Sequence, residues 1–184
     1  MKPLLRPLLV AFCLLSLPAT PVLRAGPEPA NAPKVKLTFV DWEKFTDIVV
    51  DGTTTKAGSD VIWSELNRHL STLVRQALEP GQTLVINMRD VDLAGVVEPW
   101  RGPDFGHVRY IRDTAPPRLL FDFQVLDAGG AVVKEGSERL TDLAFRFQQP
   151  PIGRNDTTYY EKQLLTDWVR STFASPRKAK RKAD

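Results

Sequence analysis

The stretch that most limits what this chain can fold into is Gly81-Gln82-Thr83-Leu84-Val85-Ile86-Asn87-Met88-Arg89-Asp90-Val91-Asp92-Leu93-Ala94-Gly95. It leaves a Pro80-Gly81 turn and becomes a β-rich segment in which Leu84, Ile86 and Met88 alternate with Val85, Asn87 and Arg89. Apolar residues in both alternating sets call for a central strand covered on at least one face. The end of the run is different: Asp90 and Asp92 flank Val91, and the small residues Ala94 and Gly95 close it. Carboxylates at a strand end lie where a sheet leaves its core and meets solvent or a partner.

The flanking segments supply what would cover that strand. Lys34-Val35-Lys36-Leu37-Thr38-Phe39-Val40 alternates as a half-buried strand, followed by a turn over residues 41–48 and a polar stretch over 51–58. Capped by Ser59 or Asp60, a helix is expected to run to about Leu78. Its apolar stripe is Ile62, Leu66, Leu70, Leu73 and Ala77, widened by Trp63 and Val74. Beyond the central strand, residues 96–106 carry two prolines and two glycines and read as a loop, with Trp100 and Phe105 on it. Residues 107–113 read as a short strand. In residues 118–126, Leu119, Phe121, Phe123 and Val125 make one face, and Asp127-Ala128-Gly129-Gly130 turns the chain into a returning strand with a bulge near Gly136. Thr158-Tyr159-Tyr160-Glu161 has capping-box form ahead of a second amphipathic helix carrying Leu164, Leu165, Trp168 and Val169. The expected fold is α+β: a mostly antiparallel or mixed sheet with two helices packed on one face, the first helix bridging two parallel strands.

The two ends differ from this body. Lys2 and Arg6 precede the apolar run Leu8-Leu9-Val10-Ala11-Phe12-Cys13-Leu14-Leu15-Ser16-Leu17, which has the pattern of a secretory signal and is short for a membrane span. Residues 1–25 are therefore expected to be a signal peptide and 26–33 a Pro-rich spacer. Residues 34–174 then form one domain, and 175–184 a basic disordered tail. Cys13, the only cysteine, leaves with the leader, so the mature body has no disulfide, thiolate metal site or cysteine nucleophile. The formal net charge of +3 comes from the ends. Without them acids outnumber bases, so the charge is no argument for nucleic-acid binding. The expected location is periplasmic, or alternatively secreted, with no transmembrane span in the mature form.

Several motifs occur in order: Lys44-Phe45-Thr46-Asp47, Gly81-Gln82-x-Leu84, Asp90-Val91-Asp92-Leu93-Ala94-Gly95-x-x-Glu98, Pro116-Pro117-Arg118, Leu140-Thr141-Asp142, and Tyr160-Glu161-Lys162 with Asp167-Trp168. Together they resemble a domain-of-unknown-function family of exported proteins from Gram-negative bacteria, the one numbered three thousand and sixteen. The resemblance implies export and a single domain, and brings no activity with it. In layout the chain is also similar to small envelope lipoproteins that assist lipid transporters, but it lacks their lipid-attachment cysteine.

Asp90 and Asp92 point to one side of the strand, about 6–7 Å apart, and with Glu98 could share a hard cation or act as an acid–base pair. The structural alternative gives one aspartate to a turn and the other to Arg109, Arg112 or Arg118. His69 and His107 lie in separate elements with no helical partner to make a zinc pair, and no nucleophile elbow, metalloprotease helix or phosphate loop occurs. Trp42, Phe45, Trp100 and Phe105 could contact a ligand or pack over the sheet ends. The residues singled out for binding are Asp90, Asp92, Glu98, Trp100 and Arg118, with no catalytic residue, metal or cofactor assigned. The function expected is binding of an envelope protein or ligand, with weak contact of the tail to anionic lipid. A metal-assisted hydrolase built on Asp90, Asp92 and Glu98 is the alternative.

Overall fold

The computed structural model describes residues 31–50, 52–148, 150 and 156–173. The leader, the start of the spacer and the basic end lie outside the described residues. In chain order the elements are β1 (Lys34–Phe39), α1 (Lys56–Ala77), β2 (Thr83–Asp92), β3 (Val96–Val97), β4 (Arg109–Tyr110), β5 (Arg118–Leu126), β6 (Val132–Thr141) and α2 (Tyr159–Phe173). Four strands form one mixed sheet in the order β1-β2-β5-β6, in which β1 runs parallel to β2 and the other neighbours are antiparallel. β2 is thus an interior strand, as its two-sided apolar content requires.

The helices and the sheet bury one common core. Ile62, Leu66, Leu70 and Val74 from α1 meet Leu84, Ile86 and Met88 from β2, Leu119, Phe121, Phe123 and Val125 from β5, and Leu164, Leu165, Trp168 and Val169 from α2. Trp168 sets its ring edge-to-face against Phe121, Phe123 and Phe173, with centroids 4.9, 5.2 and 5.5 Å away, the arrangement the ring quadrupoles favour. Gly136 on β6 makes room for this packing, since a Cβ there would stand 2.9 Å from Phe123 Cε1. The other face of the sheet carries a polar ladder. Arg89 donates to Asp122, Ser137 Oγ donates to Asp122, and Gln124 donates to Glu135.

The structure departs from the sequence expectations in four places. α1 begins at Lys56, with Thr55 Oγ1 accepting from Gly58 N at 3.1 Å, and Ser59 is buried inside the helix rather than capping it. The polar run around Gly58 hides this first turn. Residues 96–97, expected in a loop, pair with Arg109–Tyr110 in a small separate ribbon, so the strand expected over 107–113 shrinks to two residues. In β6 the register shift lies near Val133 rather than Gly136, and residues 145–147 form a 3-10 turn. Glu161 does not close a capping box: it reaches away from its own helix start to Ala94 N.

Candidate functional site at the acidic strand end

A β-bulge sets the geometry where β2 ends. Register with β5 shifts between Met88 and Asp90, leaving Arg89 as the extra residue. The extra residue reverses which side chains face inward: Met88 is buried before the bulge and Val91 after it. Asp90 and Asp92 therefore share the face away from the helices, and each is already engaged. Asp90 accepts from Thr46 N at 2.7 Å and Thr46 Oγ1 at 2.8 Å, which fixes the turn after β1. Asp92 lies 3.5 Å from Arg118 on β5. Burial pushes the Asp92 carboxyl above its ordinary range, and Arg118 opposes that rise.

Asp47 brings the turn alongside the strand. Its N–H donates to Val91 O and its carbonyl accepts from Leu93 N, extending the parallel pairing of β1 with β2 by one bridge to Asp92. Its carboxylate takes both ends of the Arg109 guanidinium, at 2.8 and 2.9 Å. Arg109 also donates to the carbonyls of Val49 and Gly95, at 3.0 and 3.1 Å. One side chain from β4 thereby joins the turn after β1 to the end of β2. Gly95 is needed where the chain leaves β2: its φ is +79°, and a Cβ would collide with the Tyr110 carbonyl.

Glu98 is the hub of the next loop. It receives Arg101 and Arg112, the latter at 2.5 and 2.9 Å. The Arg101 bond, reinforced by Arg112, holds the Glu98 carboxyl below its ordinary range. Arg101 lies 4.5 Å over the Tyr110 ring, which adds a cation–π contact. Glu98 is only 3% exposed, whereas Trp100 beside it is 77% exposed. Phe105 in the same loop is 48% exposed, and Ile111, just after β4, is 39% exposed. Of the four loop aromatics, Phe45 is buried against Phe39, Trp42 packs partly against the core, and Trp100 and Phe105 face outward.

The sequence-selected residues thus gather at one end of the sheet, but as separate pairs. Asp90, Asp92 and Glu98 take donors from different elements, and among the described residues no group of three or more His, Cys, Asp or Glu side chains could hold a metal. Asp142, another motif acid, accepts from Ala144 N at 2.8 Å and from the Gln148 amide. A cavity of 450 Å³ lies next to this end, lined by Val49, Val97, Val108, Ile111, Tyr160 and Arg109. His107 lines it as well. His69 sits between the helices, where its Nε2 is 2.8 Å from Thr166 Oγ1 and 3.0 Å from Lys162 O. Burial lowers its pKa.

Glu161 is the residue that sequence reasoning missed. It is fully buried, its Oε1 accepts from Ala94 N at 2.7 Å, and its Oε2 has no partner among the described residues. Burial raises its carboxyl to about 7. Its place in Tyr160-Glu161-Lys162 was visible as a motif, but the link to Ala94 spans the whole fold. Lys162 beside it bridges Glu65 at 2.6 Å and Asp156 at 2.8 Å, tying α1 to α2.

No curated protein matches the chain. Among solved structures it is similar to the PelC dodecamer of Paraburkholderia phytofirmans. A variant of that protein is 13% identical over 78% of this chain and 86% of that one, with a TM-score of 0.39. A second crystal form is 15% identical over 83% and 96%, with a TM-score of 0.37. It is also similar to a minor lipoprotein of Acinetobacter baumannii, at 13% identity over 76% and 88% with a TM-score of 0.23. The ordered motifs of the sequence fall within residues 33–171, which match the sequence profile described as "Protein of unknown function (DUF3016)", and the chain belongs to that family.

Proposed function

We propose that this is an exported, non-catalytic protein of the bacterial cell envelope that binds a partner through the loop carrying Trp100 and Phe105. The observation that carries this reading is the pairing of an exposed tryptophan with a fixed base. Trp100 is 77% exposed on a short turn whose two sides are clamped by Glu98 to Arg101 and Arg112. A large aromatic ring held in water on a rigid loop loses little conformational freedom when a partner covers it, which is what an interface anchor needs. The acids that would have served a hydrolase are instead engaged with guanidinium and backbone donors. Export rests on the leader pattern of residues 1–25. The basic end would add charge-driven attraction to anionic lipid.

Chemical crosslinking in intact cells tests the proposal. The natural protein is expected to give a discrete adduct in the envelope fraction, and Trp100→Ala to lose it while keeping the wild-type melting temperature. A wild-type chain that gives no adduct with a protein other than itself, or such an adduct that survives Trp100→Ala and Phe105→Ala together, contradicts it.

A further inference from the structure

β6 is ten residues long and stands at the edge of the sheet, paired only with β5 among the described residues. Charged residues on such a strand usually guard against pairing with another chain, but here their order is self-complementary. Glu135, Ser137 and Arg139 alternate on the face away from the helices, the face on which Ser137 meets Asp122 and Glu135 meets Gln124. Arg139 is exposed and makes no ion pair among the described residues. If two β6 strands run antiparallel about an axis through Ser137, Glu135 of each copy stands opposite Arg139 of the other. That register engages residues 133–141, nearly the whole strand, and sets Val133 opposite Thr141 twice. It also brings the exposed valines at one end of a copy, Val132 and Val133, beside exposed Leu143 at the other end of its mate. Lys134 is turned the other way, donating to Thr172 O at 2.8 Å and lying 5.2 Å from the Phe173 ring centre, so it does not compete for Glu135.

We infer that β6 is a homodimer interface, a second copy of this chain adding its own β6 antiparallel to form one continuous sheet across the twofold axis. The outward N–H and C=O groups of the edge then find partners, and two Glu135–Arg139 pairs fix the register. The inference is independent of the Trp100 loop, which lies at another part of the molecule's sequence and contacts.

The test uses the exported chain in sedimentation equilibrium and thiol crosslinking. Antiparallel residues opposite one another have Cα atoms about 4.5–5.5 Å apart, within disulfide range. Ser137→Cys is therefore expected to oxidise to a covalent dimer, while Ser64→Cys on α1 forms no covalent dimer. Glu135→Arg places like charges opposite each other twice and is expected to weaken association about tenfold. Adding Arg139→Glu to it restores the pairs and should return the affinity to within about threefold of wild type. A wild-type chain that stays monomeric at about 100 μM, or a dimer indifferent to the reversal and its rescue, overturns the inference. So does equal crosslinking through Ser64→Cys. Pairing of the edge with a different protein would appear as that monomer.

Discussion

Glu161 has a charge state governed by where the helix puts it. The side chain is fully buried with one oxygen unpartnered among the described residues, and burial raises its carboxyl from 4.5 to about 7. Below about 4.5 both folded and unfolded chains hold the proton. Between 4.5 and 7 the unfolded chain releases it while the folded one keeps it, so stability falls as pH rises through that window, by about 3 kcal/mol in all. His69 acts in the opposite sense, because burial lowers its pKa and protonation then favours the unfolded chain as pH falls. The groups that bear on Glu161 electrostatically are Arg109 from β4 and Asp156 ahead of α2. Comparing wild type with Glu161→Gln isolates the one group: the variant is expected to lose the fall in urea midpoint between pH 5 and 8. Parallel profiles for the two proteins would show that Glu161 ionises normally in the fold. None of this was legible in the residue pattern, because Thr158 to Glu161 has capping-box form and the true donor to the carboxylate, Ala94 N–H, is 67 residues away. By contrast, the pairing of Asp92 with Arg118 was one of the few alternatives open once the two strands were recognised.

At the scale of elements, the strands and both helices could be read because their apolar periodicity matches what they bury: Leu84, Ile86 and Met88, Leu119 to Val125, and Ile62 to Val74 all lie in one core. The small ribbon β3–β4 could not. Two-residue strands have no periodicity, and this ribbon exists because Arg109 reaches across it to Asp47, Val49 and Gly95. The bulge at Arg89 left only a local sign, two polar residues in a row between Met88 and Val91 where strict alternation has one. The Asp47–Arg109 pair is mostly covered, with side-chain exposures of 19% and 11%. Removing the cation leaves a carboxylate that has lost water and gained no replacement. Arg109→Met is expected to cost about 3–5 kcal/mol in denaturant unfolding, and a second change, Asp47→Leu, to recover a large part of it. A loss under about 1 kcal/mol would mean that the pair is solvated and that the ribbon docks through its apolar contacts.

Across the whole molecule, buried ion pairs and exposed side chains divide the labour. The acidic motifs at the end of β2 hold loops in place, and the proposed contacts with other molecules fall to the exposed features, the Trp100 loop and the β6 edge. Thermal unfolding in Ca²⁺ or Mg²⁺ tests that division most directly, since a site filled by an ion at about 100 times its dissociation constant would stabilise the fold by about 2.7 kcal/mol, several degrees in melting temperature. The structure predicts no change in melting temperature at millimolar concentrations of either ion. A rise of several degrees that Asp92→Asn abolishes would contradict it, because Asp92 would then be a ligand and not a partner of Arg118.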